Sequence, residues 1–423
     1  MAMVFFVFII LVFLVFRIFE FILDYLNLIH LKKFGDIMPE GFEGIIEAEK
    51  LSKIRSYTIE KINFGFLHNS YTALIAIVFF FCGIINFYNK IILSFTSNYY
   101  INGILYFWIL TFLAGVLSIP FDLYSTFKIE KKYGFNTMTL KLWLVDFLKS
   151  AVISFVMLAI LVSLAFSVIK HVQHWWFFVW MAFSLFSIVM LYISPYVIEP
   201  LFNKFEQLKE EELKDKLIAV ISRTGIRVSK VLKIDASKRT KHTNAYFSGI
   251  GKVKRIVLFD TLIEKMSHDE ILSIVAHEAG HWKRKHILKR ILVFELIFLA
   301  GISLAYFFSK STFLFSVFGI ERDAGISSEL YMPCLLLLVY FSFSLAMFLL
   351  VPLLNYWSRL HEKEADTFAV GLAGTSEHLV SGLKKLSADN LSNIHPHPLY
   401  SIFHYSHPPV LERIKYITQL PLK

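Results

Sequence analysis

The sequence predicts a mainly α-helical, polytopic membrane protein with about seven transmembrane helices and a smaller α+β domain on one side of the bilayer. Three observations predict it. Of 423 residues, 56% are hydrophobic and only 18% charged, where a soluble domain carries roughly 25% charged residues; mean hydropathy is +0.59. Seven apolar runs approach the length of about 20 residues that a spanning helix needs. Basic residues also gather in alternate loops between those runs, the pattern of a chain threaded back and forth through a membrane.

In chain order the runs are Met3 to Ile22, Ala73 to Tyr88, Ile101 to Ile119, Leu148 to Ile169, Trp175 to Tyr192, Ile291 to Phe308 and Leu330 to Leu354. The first has no basic start and no small-residue cleavage site, so it reads as a retained span and not a signal peptide. The second is short, and a buried or re-entrant segment is its alternative. Lys32, Lys33, Lys50, Lys53, Arg55 and Lys61 follow the first run; Lys128, Lys131, Lys132 and Lys141 follow the third; the stretch after the fifth is Lys-rich throughout. The other loops carry little beyond Lys90, Lys170, Lys310 and Arg322. The alternation puts the N-terminus outside and the C-terminus in the cytoplasm.

The net charge is +10, but the bases are interleaved with acids and no nucleic-acid motif is present, so membrane lipid and not nucleic acid is the expected partner. Cys82 and Cys334 both lie in apolar runs and imply no disulfide framework; a zinc site here must use His and carboxylates. The expected organisation is 1–193 for spans one to five, 194–290 for a first cytoplasmic part, 291–354 for spans six and seven, and 355–423 for a second cytoplasmic part.

In the first part, "FEQLKEEELKDKLIAVISRTG" reads as an amphipathic helix. "VSKVLKID" (Val228 to Asp235) and "KRIVLFD" (Lys254 to Asp260) read as strands. Ser267 and Glu270 have capping-box spacing and start a helix near His268. On it, "VAHEAGHWKRKH" puts His277 and His281 four apart, so both imidazoles leave one face and can hold one zinc. Glu278 then lies beside the metal, placed to take a proton from water. The competing reading is a solvated amphipathic helix with incidental histidines.

A catalytic zinc needs a third protein ligand and an open position. "SRLHEKEADTFAVG" (Ser358 to Gly371) offers Glu362 and Asp366, four apart on a helix: one carboxylate to bind metal, the other to orient a ligand histidine. Spacing leaves Glu364 and His361 as competing candidates.

These residues resemble the type I CAAX prenyl proteases, integral-membrane zinc metallopeptidases of the gluzincin type. His277-Glu278-Ala279-Gly280-His281-Trp282 looks like that family's active-site helix, and "SRLHEKEAD" resembles its Glu-x-x-Ala-Asp element. "PFDLYSTFKIEKKYGFN", "IEPLFNKF", "TNAYFSG", "KRIVLFDTL" and "HYSHPPVLERI" look like further family blocks in the same order, from the third span to the C-terminus.

The resemblance implies a gluzincin-like domain with a small sheet, and membrane helices enclosing a chamber. It makes Glu362 the third ligand and Asp366 its supporting carboxylate. It gives Asn244, Ala245 and Tyr246 to the substrate backbone, His407 to the oxyanion, and Arg413 to a contact with the zinc-binding glutamate. One Zn²⁺ per monomeric chain is expected. His395, His397 and His404 read as a proline-rich loop. His286, five residues past His281, is read as facing elsewhere and excluded as a ligand. Glu20, Asp24, Glu295 and Asp146 lie in or beside spans, lining an interior or the headgroup boundary.

The expected reaction is peptide-bond hydrolysis with Glu278 as general base, removing the C-terminal tripeptide of prenylated proteins. A broader quality-control protease acting on unprenylated or misfolded chains is the alternative. A seven-span receptor, a transporter or a catalytically dead chaperone are the non-enzyme readings. The expected location is the bacterial inner membrane or the endoplasmic reticulum, with the active-site domain towards the cytoplasm.

Overall fold

The computed structural model of the chain describes residues 1–249 and 253–421. Among these, seven helices are long and apolar enough to cross a membrane: Ala2–Phe34, Ala48–Phe81, Tyr99–Glu130, Leu140–His171, Trp175–Phe202, His286–Ser309 and Ser328–Phe348. Most extend well past the apolar runs, because charged turns such as Glu49 to Lys61 continue a helix that hydropathy alone ends early. At one end of the bundle Phe13, Ile85, Tyr106, Leu338 and Phe341 form an apolar core, with Phe80 stacked on Phe341 at 3.9 Å.

Two expected runs are divided. The run from Ala73 to Tyr88 breaks at Gly83, whose φ of +82° turns the chain into a separate amphipathic helix, Ile84–Phe95. A left-handed residue there suits glycine, which has no Cβ to clash. The run from Leu330 to Leu354 ends its span at Phe348, and a new helix, Val351–Ala373, begins with Pro352 in its first turn, where a missing N–H costs nothing.

The α+β unit is a four-stranded sheet of order β1-β2-β4-β3, where β1 is Phe205–Gln207, β2 Arg227–Ile234, β3 Ala245–Ser248 and β4 Val253–Phe259. β2 and β4 run parallel, with Val231 opposite Ile256; β1 and β3 are antiparallel outer strands. The helix expected from Phe205 therefore starts only at Glu211, its first three residues being strand. Leu213, Leu217 and Ile221, one stripe at i, i+4 and i+8, pack with Ile256, Leu258, Ile271, Val275 and Ala279. Each such fully buried aliphatic side chain contributes about 1.5–3 kcal/mol.

That core holds the motif helix, His268–Lys283, against the sheet, and the carboxylate helix, Val351–Ala373, crosses it from the other side. In sequence these two helices are separated by the last two spans.

Candidate metal centre

The motif helix is fixed at its start by a capping box. Ser267 Oγ accepts from Glu270 N at 3.3 Å, and Glu270 Oε2 accepts from Ser267 N at 2.9 Å. Glu270 also accepts from Ser381 Oγ and pairs with Lys385, each at 2.6 Å, which ties this terminus to the helix Glu377–Asp389. Three turns on, Gly280 lets the carboxylate helix approach: a Cβ there would lie 3.0 Å from Ala365 Cα and 3.1 Å from its carbonyl oxygen.

The close crossing brings one ligand atom each from His277, His281 and Glu362 within 4.8 Å of one another. His277 Nε2 lies 3.2 Å from His281 Nε2 and 3.3 Å from Glu362 Oε2; His281 Nε2 lies 3.2 Å from Glu362 Oε1. Glu362 is buried, and its Oε2 makes no well-aligned hydrogen bond, its nearest donors being His277 Nε2 at 3.3 Å and Arg413 Nη1 at 3.6 Å. A desolvated carboxylate oxygen without a well-formed hydrogen bond is costly. Two imidazoles and a carboxylate converging on one point are a donor set that suits zinc with one position open, so the residues fit such an ion.

On the far side of His277, Nδ1 lies 2.8 Å from Asp366 Oδ1. Arg413 clamps the same carboxylate, Nε to Oδ2 at 3.0 Å and Nη2 to Oδ1 at 2.5 Å, and reaches Glu362 Oε2 at 3.6 Å. Burial and Arg413 pull the His277 pKa down, but Asp366 and Glu362 outweigh them and raise it to about 9. Burial pushes the Glu362 carboxyl up, yet its two histidine partners hold it well below the usual carboxylate range. Glu278 is half-buried beside this group, and desolvation raises its pKa, the direction a proton acceptor near neutral pH requires.

His407 is exposed, with Nε2 3.3 Å from Glu362 Oε1. Asn244 sits at the start of β3, its carbonyl accepting from Phe259 N at 3.1 Å. Ala245 and Tyr246 follow on β3, an outer strand whose second edge is unpaired among the described residues. A cavity of about 440 Å³ runs along this strand to His281 of the triad, lined by Tyr246, Phe247, His281 and Trp282 and reaching Ile291 of the sixth span.

The remaining histidines and acids lie elsewhere, with one exception. His395 bonds Ile37 O at 2.7 Å and His397 faces His30 at 5.4 Å, both at the end of the first span; His404 is in a short helix nearby. Glu20 pairs with Arg17, Asp24 with Asn69, Asp146 with Arg239, and Glu295 bonds Ser184 and Ser187. The exception is His286, which does not face away: its Nδ1 lies 3.0 Å from His281 Nδ1. The motif helix ends at Lys283, and Lys285 takes a left-handed conformation, φ +57°, that swings the chain back. Helical periodicity stops applying at that turn. Glu364 and His361, the competing candidates, lie on this side and outside the triad.

Residues 27–204 match the family described as CAAX prenyl protease N-terminal, five membrane helices, and residues 207–420 match peptidase family M48. The CAAX prenyl protease 1 homolog of Arabidopsis thaliana is 35% identical over 416 residues, 94% of each chain. The uncharacterized metalloprotease YhfN of Bacillus subtilis is 32% identical over 311 residues, 73% of this chain and 71% of that one. The crystal structure of S. mikatae Ste24p superposes with a TM-score of 0.88 at 29% identity, covering 96% of this chain and 98% of the other.

Proposed function

The chain belongs to peptidase family M48 and is a multi-pass membrane metalloprotease; from that premise we propose that it removes the C-terminal tripeptide of prenylated CAAX proteins, with His277, His281 and Glu362 holding one zinc. The observation that carries the reading is the convergence of two helices, from segments far apart in sequence, on one desolvated triad beside an open sheet edge. Residues 194–290 and 355–423 together form the peptidase unit in this reading.

A zinc ion at the triad supplies Lewis acidity, which lowers the pKa of water to about 7. Glu278 accepts the proton of the attacking water and passes it to the leaving amine. As charge develops on the carbonyl oxygen, His407 donates a hydrogen bond to it. The unpaired edge of β3, at Asn244, Ala245 and Tyr246, holds the substrate backbone by strand addition. Asp366 orients His277, and Arg413 keeps Asp366 charged and in place. The cavity reaching Ile291 opens towards the membrane helices, which suits a substrate anchored in lipid. The active-site side faces the cytoplasm by the charge of the loops, in an endoplasmic reticulum or bacterial inner membrane, and the chain acts as a monomer.

A second reading is a protease of broader range, acting on unprenylated or misfolded chains. The open edge of β3 favours it, since strand addition there would hold any extended backbone whatever its C-terminal modification. Tripeptide release from a farnesylated C-terminal peptide, measured with wild type and Glu278→Gln side by side, separates the two. Release by wild type alone supports the first reading. Cleavage of unprenylated peptides at the same rate favours the second.

A further inference from the structure

His281 and His277 are ligands of the same kind, and each has a second ring nitrogen that must be satisfied. For His277 that nitrogen meets Asp366 directly. For His281 it meets another imidazole: Nδ1 of His281 lies 3.0 Å from Nδ1 of His286. His286 is buried, and its other nitrogen, Nε2, lies 3.0 Å from Glu364 Oε2. Its ring stacks on His361 at 4.0 Å with 10° between planes, and Trp357 backs His361 at 4.4 Å.

The direction of every hydrogen bond in this chain follows from one end. The Glu364 carboxylate is acceptor-only, so His286 Nε2 carries the proton and donates. A neutral imidazole protonated at Nε2 has its lone pair on Nδ1, so His286 Nδ1 accepts. His281 must then donate from Nδ1, which leaves its Nε2 lone pair facing His277 Nε2 and, at 3.2 Å, the acceptor-only Glu362 Oε1, an opposition that a cation held at the triad would relieve. The opposite tautomer of His281 would set two lone pairs against each other across 3.0 Å.

We infer that Glu364 and His286 are positioning residues, a two-step relay that fixes the tautomer and ring orientation of His281 towards the metal position, as Asp366 does for His277. The inference rests on the metal-site reading above. Both relays then end on one helix, two residues apart, so a single element holds the third ligand and orients the other two. Outer partners of this kind change metal affinity by about 10- to 100-fold when removed.

The test measures zinc content and zinc affinity, by chelator competition on the detergent-solubilised full chain, for wild type, His286→Ala, His286→Asn, Glu364→Ala and the His286→Asn/Glu364→Ala pair. Thermal melts of the metal-free proteins check folding. His286→Ala and Glu364→Ala should weaken zinc binding by about 10- to 100-fold. His286→Asn should stay near wild type, because its Oδ1 can accept from His281 Nδ1. Asn is too short to reach Glu364, so Glu364→Ala should cost nothing further in that background. Glu364 is on the surface side of the relay and 46% exposed, so its removal leaves a folded protein even where His286→Ala does not. Unchanged affinity in both alanine variants overturns the relay, as does equal loss in His286→Ala and His286→Asn. Wild type that binds no zinc, or Glu362→Ala that binds it normally, overturns the metal-site reading instead.

Discussion

Gly280 lies against Ala365 so closely that an added Cβ would stand 3.0 Å from the neighbouring Cα. That contact sets the distance between the helix carrying His277 and His281 and the helix carrying Glu362. Its atoms are backbone, which cannot swing aside as a side-chain tip can.

Replacing Gly280 with Val should therefore act on the metal as well as on stability. Overpacking of this kind costs typically 1–3 kcal/mol, and separating the helices moves Glu362 away from both imidazoles. The expected result is a lower melting temperature together with reduced zinc occupancy. A destabilised variant that still binds zinc at wild-type affinity would show that this crossing does not set the triad.

Glu278→Gln removes the proposed proton acceptor while touching none of the three triad atoms. Zinc content should match wild type, and turnover should fall by several orders of magnitude. Near wild-type turnover in the zinc-loaded variant would assign the base to another residue.

Glu362→Ala removes one of three donors from a desolvated pocket. The variant should lose its metal at a chelator concentration wild type withstands. Full occupancy under those conditions would mean that a different group completes the set, and Glu364 and His361 are the first to test.

Protons and metal compete for His277. With its pKa at about 9 in the metal-free protein, binding metal at neutral pH expels a proton, so affinity should rise about tenfold per pH unit below 9. The same shift is a stability statement. The folded-state pKa is raised above the ordinary value of 6.5, so the metal-free protein gains stability that is complete below pH 6.5 and is lost as pH rises through about 9. Melting temperatures of chelated protein should fall between those pH values. A flat profile for both affinity and melting would show His277 neutral in the free site.

The sequence carried much of this fold, for identifiable reasons. All seven spans are runs of apolar side chains, and composition is what a hydropathy reading measures. Their ends were less legible, because a helix continues past the last apolar residue as long as nothing stops it. Gly83 and the Phe348–Val351 break were invisible to composition, since they depend on backbone angles and not on polarity. The spacing of His277 and His281 reads directly as one helical face. Asp366 and Glu362 have the same spacing, but which of them meets the metal depends on how two helices cross, and no local pattern encodes that.

His286 is the instructive case. Counted along an ideal helix it points away from His281, but the motif helix ends at Lys283, three residues before it. The left-handed Lys285 is a lysine at a position where glycine or asparagine is the usual signal, so nothing in the residue types announced the turn. β3 was legible only through family likeness, because four residues of strand have too little alternation to read.

The order of elements along the chain has a consequence for biogenesis. His277, Glu278 and His281 are synthesised before the sixth span, and Glu362 only after the seventh. A nascent chain emerging from the ribosome thus holds no complete centre until the final hairpin has entered the bilayer and returned its end to the same side. If that hairpin were to insert by a single crossing, Glu362 would be stranded on the opposite face, and no rearrangement short of reinsertion would bring it back. Correct topology is in this sense the zymogen step of the protein: the triad can close only after the seventh span has crossed.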